Sequence, residues 1–271
     1  MSEKKRILTG DRTTGKLHLG HYVGSLQNRV KLQDEYESFI LLADIQALTT
    51  HFENPSLLEH SIYEVAMDNL SVGLDPNKVT LVQQSRIPSI GELTVFYSML
   101  VTVNALRHNP TIKTEAANYG YSDMTYGFLG YPVSQSADIT FCKANLVPVG
   151  EDQKPHMEMT RKIVRRFNEL YGETLVEPDM LLSDCPRLMG LDGSAKMGKS
   201  LGNAIYLSDP AEKVRKKVMS AVTDASRIKK DDPGHPDICV VSKYHKVFNG
   251  GEYENICESC KKGAIGCVAC K

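Results

Sequence analysis

The sequence predicts an α/β protein: a Rossmann-like, doubly wound parallel sheet followed by part of an α-helical domain. Three observations predict it. Short apolar runs alternate with longer amphipathic stretches between Lys5 and Tyr171. One of those runs, Ser38 to Ala43, is continuously apolar, as in a strand covered on both faces. Past residue 188 the texture changes to small and charged residues, followed by fresh helix signals.

Lys5 to Thr9 reads as the first strand, ended by Gly10-Asp11. The loop Arg12-Thr-Thr-Gly-Lys16 feeds a helix beginning near His18, where Leu19, Val23, Leu26, Val30 and Leu32 roughly keep helical spacing. Ser38 to Ala43 is an apolar strand. Ser56 to Val72 is an amphipathic helix with Leu58, Ile62, Val65, Ala66 and Leu70 on one stripe, closed by Gly73. Val79 to Val82 and Leu146 to Val149 are further strands, and a helix follows from about Gly150 to Tyr171. Asp192 to Gly202 reads as a mobile surface loop. Ser208-Asp209-Pro210-Ala-Glu212 is a helix start, with a capping side chain, proline at the first position and a following glutamate. Val214, Val218 and Val222 continue that helix's apolar stripe. A domain junction is placed near residue 188, giving domains 1–187 and 188–271.

A chain of 271 residues with 41% apolar content can bury such a core and part of a second domain. A net charge of −1 argues against a protein that coats nucleic acid non-specifically. The basic run Thr160 to Arg166 is a local patch or a solvated helix face. No stretch is long and apolar enough to span a membrane, and the Ile7-Leu8 run is too brief for a signal peptide. A soluble cytoplasmic protein is expected. Cys142 and Cys185 stand alone in apolar surroundings, as core residues do. Cys239, Cys257, Cys260, Cys267 and Cys270 cluster instead, which in a reducing compartment points to metal rather than disulfides.

Two stretches carry chemistry. At the first strand-to-helix turn, His18-Leu19-Gly20-His21 opens a helix whose N–H groups and positive end suit an anion, and both imidazoles can donate to phosphate. Taken alone, the pair reads rather as ordinary surface histidines. In Ala195-Lys196-Met197-Gly198-Lys199-Ser200, two lysines three apart can close over a polyphosphate and neutralise a departing pyrophosphate. Alone, this too reads as a solvated loop.

Together, with a Rossmann-like pattern between them, they resemble the two signatures of class I aminoacyl-tRNA synthetases; Gly198 stands where the second signature usually has serine. Asp11 to Ser25, Tyr131 to Ile139, Val147 to Gln153 and His156 to Arg161 are similar to tryptophanyl-tRNA synthetases. The resemblance implies a tryptophan–tRNA ligase that forms tryptophanyl-adenylate from L-tryptophan and ATP with Mg²⁺, then charges tRNA(Trp). It implies ATP contacts from Arg12, Thr13, Thr14, Gly20, His21, Gly150, Glu151, Asp152, Leu188, Lys196, Met197, Gly198, Lys199 and Ser200. His18, His21, Lys196 and Lys199 are the implied catalytic set. Asp138, with Tyr131 and Gln153, is the implied tryptophan pocket. Glu151 and Asp152 also suit plain helix capping, and Asp138 could instead cap a helix beginning at Ile139.

Tyr131, Gln135 and Asp138 equally match the pocket spacing of tyrosyl-tRNA synthetases. Leu8, two residues before Gly10, stands where those enzymes usually carry a tyrosine for the substrate hydroxyl. The remaining alternative is a nucleotidyltransferase of the same superfamily, which would not require the lysine loop. Cys239, Cys260, Cys267 and Cys270 resemble the set holding a [4Fe-4S] cluster in some tryptophanyl enzymes, while Cys257, Cys260, Cys267 and Cys270 would equally make a zinc site. The family also implies a homodimer and a longer anticodon-binding domain, so a C-terminally truncated chain with weak tRNA charging is expected.

Overall fold

The computed structural model describes residues 4–182, 188–194 and 196–271. Cys185 and Ala195 lie outside the described residues. Strands β1 (Arg6–Arg12), β2 (Glu37–Ala43), β3 (Val79–Gln83), β4 (Leu146–Val149) and β5 (Asp179–Leu182) form one parallel sheet, ordered β3-β2-β1-β4-β5. The helices are α1 (Leu19–His21), α2 (Gln27–Leu32), α3 (Asp44–His51), α4 (Ser56–Ser71), α5 (Pro88–Ser98), α6 (Val103–His108) and α7 (Pro110–Tyr119). After them come α8 (Tyr126–Thr140), α9 (Lys154–Tyr171), α10 (Ala211–Ser220), α11 (Val240–Phe248), α12 (Tyr253–Lys261) and α13 (Cys267–Cys270).

The chain divides into two compact units. One joins Met1–Lys16 to Ser25–Asp184, and the other joins Leu17–Gly24 to Cys185–Lys271. The first holds the sheet. Its strand order reverses at β1, so the carboxyl ends of β1 and β4 flank a switch point, where α/β sheets take ligands. β1 runs to Arg12 rather than ending at Gly10, because its pairing with β2 continues through Arg12↔Ala43. A Cβ on Gly10 would sit 2.5 Å from the Leu41 carbonyl oxygen, so only glycine permits this approach. Pro148 has no N–H to give, and the β1–β4 ladder holds the single pair Ile7↔Leu146. Leu8, Leu41, Val82, Phe128, Tyr131, Val133, Val147 and Met157 belong to this unit's core.

Helix α4 matches its expected span, but its buried face is polar. Ser61, Glu64, Asp68 and Asn69 are buried beside Leu58 and Val65, while Leu70 is exposed. The reason is Arg29, buried on α2. Its Nη1 donates to Asp11 Oδ2 at 2.5 Å and to Asn69 Oδ1 at 2.8 Å, and its Nη2 donates to Asp11 Oδ1 and the Gly10 carbonyl. A buried guanidinium needs such partners, and α4 turns a polar stripe inward to supply one.

In the second unit, Leu191, Ile205, Ala221, Cys239 and Val241 form one cluster, with Val214 and Val218 of α10 against it. Pro210 is the N-cap of α10 and has no side chain to cap with. Asp209 faces Lys217 and Lys213 instead, at 2.5 and 2.9 Å, and accepts the Tyr206 N–H. Charge pairing thus takes the carboxylate that the sequence assigned to capping.

Candidate active site

In the second unit, His18 is the N-cap of α1. Its Nδ1 accepts the Gly20 N–H at 3.1 Å, and His21 Nδ1 accepts the His18 N–H at 3.2 Å. Both Nδ1 atoms are therefore acceptors, which leaves each Nε2 to carry the hydrogen and donate. Burial holds His18 far below an ordinary imidazole, at about 3, with repulsion from His21, Lys199 and Lys196 adding to it. A Cβ on Gly20 would lie 2.9 Å from the His18 ring, so the glycine is required by its own motif.

The same segment is tied to the lysine loop. His18 and Tyr206 form an antiparallel bridge, Leu19 N–H donates to Ile205, and Leu207 N–H donates to Leu17. The loop Asp192–Gly202 is less free than its composition implied. Met197 is 2% exposed and packs with Leu188 and Ala204. Asn203 donates to Asp192, Ser194 and the Lys196 carbonyl, while its Oδ1 accepts the Gly198 N–H. Lys196 is exposed, and Lys199 opens the short 3₁₀ turn Lys199–Leu201. The clamp residue Asn203 escaped sequence reasoning. Its signal is a single asparagine, identical to that of any turn.

In the first unit, Arg12 ends β1, and Thr13 and Thr14 follow it. The Thr13 hydroxyl is fully buried and has no hydrogen-bond partner among the described residues. Gly150 follows β4, and Glu151 and Asp152 begin the 3₁₀ turn ahead of α9. Neither caps α9, whose N-cap Gln153 makes no side-chain capping bond. Glu151 pairs with Lys154 at 2.6 Å. Asp152 accepts from Gln153 at 3.1 Å.

Helix α8 carries Tyr131 and Asp138 seven residues apart, on one face two turns along. Asp138 lies inside the helix and so does not begin one. It is 4% exposed and accepts Gln84 Nε2 at 2.7 Å. Burial raises its carboxyl to about 7, with Gln84 opposing and Asp44 assisting. Gln84 is oriented by the Gln46 N–H, which donates to its Oε1 at 2.9 Å. Tyr131 Oη lies 2.8 Å from His156 Nε2, and Asn109 Nδ2 lies 3.3 Å from His156 Nδ1. Gln153 Oε1 lies 3.4 Å from Gln135 Nε2. A cavity of about 530 Å³ is lined by Gln46, Phe52, Val103, Tyr126, Tyr131 and Ser134 among others, and Asp138 is not in its lining.

Among the cysteines, Cys142 is buried in the first unit's core, as expected. Arg227 Nη1 stands 3.9 Å from the sulfurs of both Cys260 and Cys267. Burial raises the Cys270 thiol to about 11, and Cys239, Cys260 and Cys267 push the same way. Cys257 is buried 3.8 Å from the Ser242 hydroxyl. Among the described residues, no three His, Cys, Asp or Glu side chains are placed to hold a metal ion.

A Rossmann-like parallel sheet in one unit, and paired imidazoles bridged to a lysine loop in the other, mark an enzyme that activates its substrate with a nucleotide, and the chain belongs to the tRNA synthetases class I (W and Y), a family that matches residues 1–271. It is 53% identical over 279 residues to tryptophan–tRNA ligase of Streptococcus pyogenes serotype M3, covering 99% of this chain and 82% of the relative. The Streptococcus pneumoniae serotype 4 tryptophan–tRNA ligase is 50% identical over the same shares. Among solved structures, tryptophanyl-tRNA synthetase from Campylobacter jejuni complexed with ADP and tryptophan superposes with a TM-score of 0.85 at 30% identity, over 96% of this chain and 81% of that one. Tyrosyl-tRNA synthetase from Archaeoglobus fulgidus, at 22% identity and a TM-score of 0.74, shares the fold.

Proposed function

We propose that this chain activates L-tryptophan with ATP, releasing pyrophosphate, and transfers the tryptophanyl group to tRNA(Trp). The observation that carries the reading is Asp138, a buried carboxylate with one bond from Gln84 among the described residues and acceptor capacity to spare. An indole N–H satisfies it. A side chain without a donor leaves it desolvated and unpaired, so phenylalanine is rejected. Leu8, buried in the same core, offers packing and no hydroxyl partner, which favours tryptophan over tyrosine.

The tryptophan carboxylate attacks the α-phosphorus of ATP in line, and a terminal ribose hydroxyl of tRNA then attacks the adenylate. Neither step needs a covalent enzyme intermediate. The Nε2–H groups of His18 and His21 donate to phosphate, and Lys196 and Lys199 balance charge on the departing pyrophosphate. Mg²⁺ bound with ATP would share that neutralisation. Arg12, Thr13, Thr14, Gly20, Gly150, Glu151, Asp152, Leu188, Met197, Gly198 and Ser200 complete the ATP contacts. The buried, unpartnered Thr13 hydroxyl supports this, since a nucleotide would supply its missing bond. Tyr131 and Gln153 join Asp138 in the amino-acid pocket.

The remaining assignments rest on the family and on surface chemistry. Residues 1–187 are the catalytic domain, and 188–271 carry the lysine loop and the start of an anticodon-binding domain. Cys239, Cys260, Cys267 and Cys270 would hold a [4Fe-4S] cluster, with zinc the alternative. Of the two sets, the one with Cys239 is favoured because Cys239, with Cys260 and Cys267, pushes up the Cys270 thiol. Exposed Phe52, Val95, Phe96, Met99 and Val103 suit a homodimer face. No described helix is long and apolar enough to cross a membrane. A cytoplasmic location follows from the family.

ATP–pyrophosphate exchange tests the reading. It should require tryptophan and ignore tyrosine; exchange supported by tyrosine alone, or by neither, would overturn it.

A further inference from the structure

The polar stripe of α4 reaches both ends of the loop that follows β1. At the first end stands Asp11, the residue before Arg12. Arg29 has five N–H hydrogens, and five acceptor contacts take them. Four are the bonds to Asp11, Asn69 and the Gly10 carbonyl, and the fifth runs from Nε to Ser25 Oγ at 3.1 Å. A planar fork with every hydrogen placed has one orientation. Asn69 is fully buried, and its Nδ2 donates to Asp11 Oδ2 at 3.2 Å and to the Val65 carbonyl at 2.9 Å. At the far end of the loop, Lys16 Nζ lies 3.6 Å from Oε2 of Glu64, a buried carboxylate on the same helix. Glu64 Oε1 in turn lies 3.0 Å from His60 Nε2. Between these anchors the Thr14 N–H donates to the Arg12 carbonyl at 2.9 Å, Gly15 turns the chain at a φ of +100°, and Thr13 is fully buried.

We propose that α4 is a clamp on this loop, in which Asn69 and Arg29 position its first end and Glu64 its last, so that ATP meets Arg12, Thr13 and Thr14 already in place. The proposal rests on the ATP contacts assigned above and deepens them. Stability alone does not call for such a stripe, because well-packed apolar residues often replace a buried ion pair without loss. What the polar groups add is direction: they fix the end of β1 and the exit of the loop at chosen atoms. A loop ordered beforehand does not have to give up its backbone freedom when the nucleotide arrives. Asn69, Arg29 and Glu64 are positioning residues that act through Asp11 and Lys16.

Asn69→Leu keeps the side-chain volume and removes both the acceptor for Arg29 and the donor to Asp11. Glu64→Gln removes only the charge that faces Lys16 and His60. In ATP–pyrophosphate exchange, Asn69→Leu should raise the ATP KM about tenfold, the worth of one buried hydrogen bond. Glu64→Gln should raise it about twofold, because its partner Lys16 is half exposed. The kcat and the tryptophan KM should hold, the pattern left by lost binding alone. Hydrogen exchange read by mass spectrometry without ATP should quicken in the peptide spanning Thr13 to Lys16 and stay unchanged across β2 and β3. An ATP KM unchanged in folded Asn69→Leu overturns the proposal. So do ATP and tryptophan KM values that rise together with faster exchange across β2 and β3, since that is a general packing role. Should Asn69→Leu not fold, Glu64→Gln decides, and an unchanged ATP KM with unchanged loop exchange overturns the clamp. A wild type that exchanges no pyrophosphate, while the loop still loosens in the variants, would instead sink the functional reading.

Discussion

His18 and Tyr206 face each other across an antiparallel bridge, so the first histidine and the segment following the lysine loop share one backbone scaffold. Leu19 N–H to Ile205 and Leu207 N–H to Leu17 flank it on either side. Two motifs nearly 180 residues apart in sequence are thereby held in register within one unit.

Lys199→Ala should slow exchange about 10²-fold through kcat, as loss of a preorganised charge does, with the tryptophan KM nearly unchanged. Steady-state exchange kinetics check this. A change confined to the tryptophan KM would remove Lys199 from the pyrophosphate.

The Asp138 carboxyl, raised to about 7 by burial, gives tryptophan recognition a pH dependence. The ionised form is the stronger acceptor, so the tryptophan KM should rise as pH falls below about 7. The sign for stability is the reverse of a salt-bridged aspartate. Between its ordinary 3.8 and about 7, the folded protein binds a proton that the unfolded chain has lost, so stability falls as pH rises through that window. Asp138→Asn should abolish this slope in thermal melts and raise the tryptophan KM about tenfold or more at pH 8.

His18 and His156 act in the opposite sense. Both sit well below 6.5 when folded, at about 3 and 4, because burial disfavours their charged forms. From 6.5 downward the unfolded chain binds protons that the folded one does not, so stability declines as pH falls towards 4. In Asp138→Asn, which removes the opposing carboxyl, denaturant midpoints measured between pH 7 and 4 should show that decline, and a midpoint flat over this range in that variant would contradict the burial of these rings.

The cysteine assignment is tested by metal analysis of protein purified without oxygen. Iron and sulfide near four each per chain, lost in Cys260→Ser and Cys267→Ser but kept in Cys257→Ser, is the expected result. Stoichiometric zinc lost in Cys257→Ser would reverse the choice of set and metal.

What the sequence made legible follows from local physics. β2 was readable because strands covered on both faces are continuously apolar, and α9 because its apolar stripe is strong. The α5–α8 region was not. Pro132 lies inside α8 beside Gly127 and Gly130, and α5 exposes Val95 and Phe96, so neither shows a clean apolar stripe. The polar face of α4 stayed hidden because its cause, Arg29, is distant in sequence. His18, His21 and the two lysines were legible as motifs. Asn203, Asn109 and His156 were not, since they act on other protein atoms and only the fold brings those atoms near.

The central claim is that this site joins tryptophan to AMP. The most direct test mixes the protein with ATP·Mg²⁺ and equimolar tryptophan and tyrosine, quenches after one turnover, and reads the adenylate by mass. The account predicts tryptophanyl-adenylate in amounts close to the active sites present. Tyrosyl-adenylate as the main product, or no adenylate from a folded protein, would contradict it.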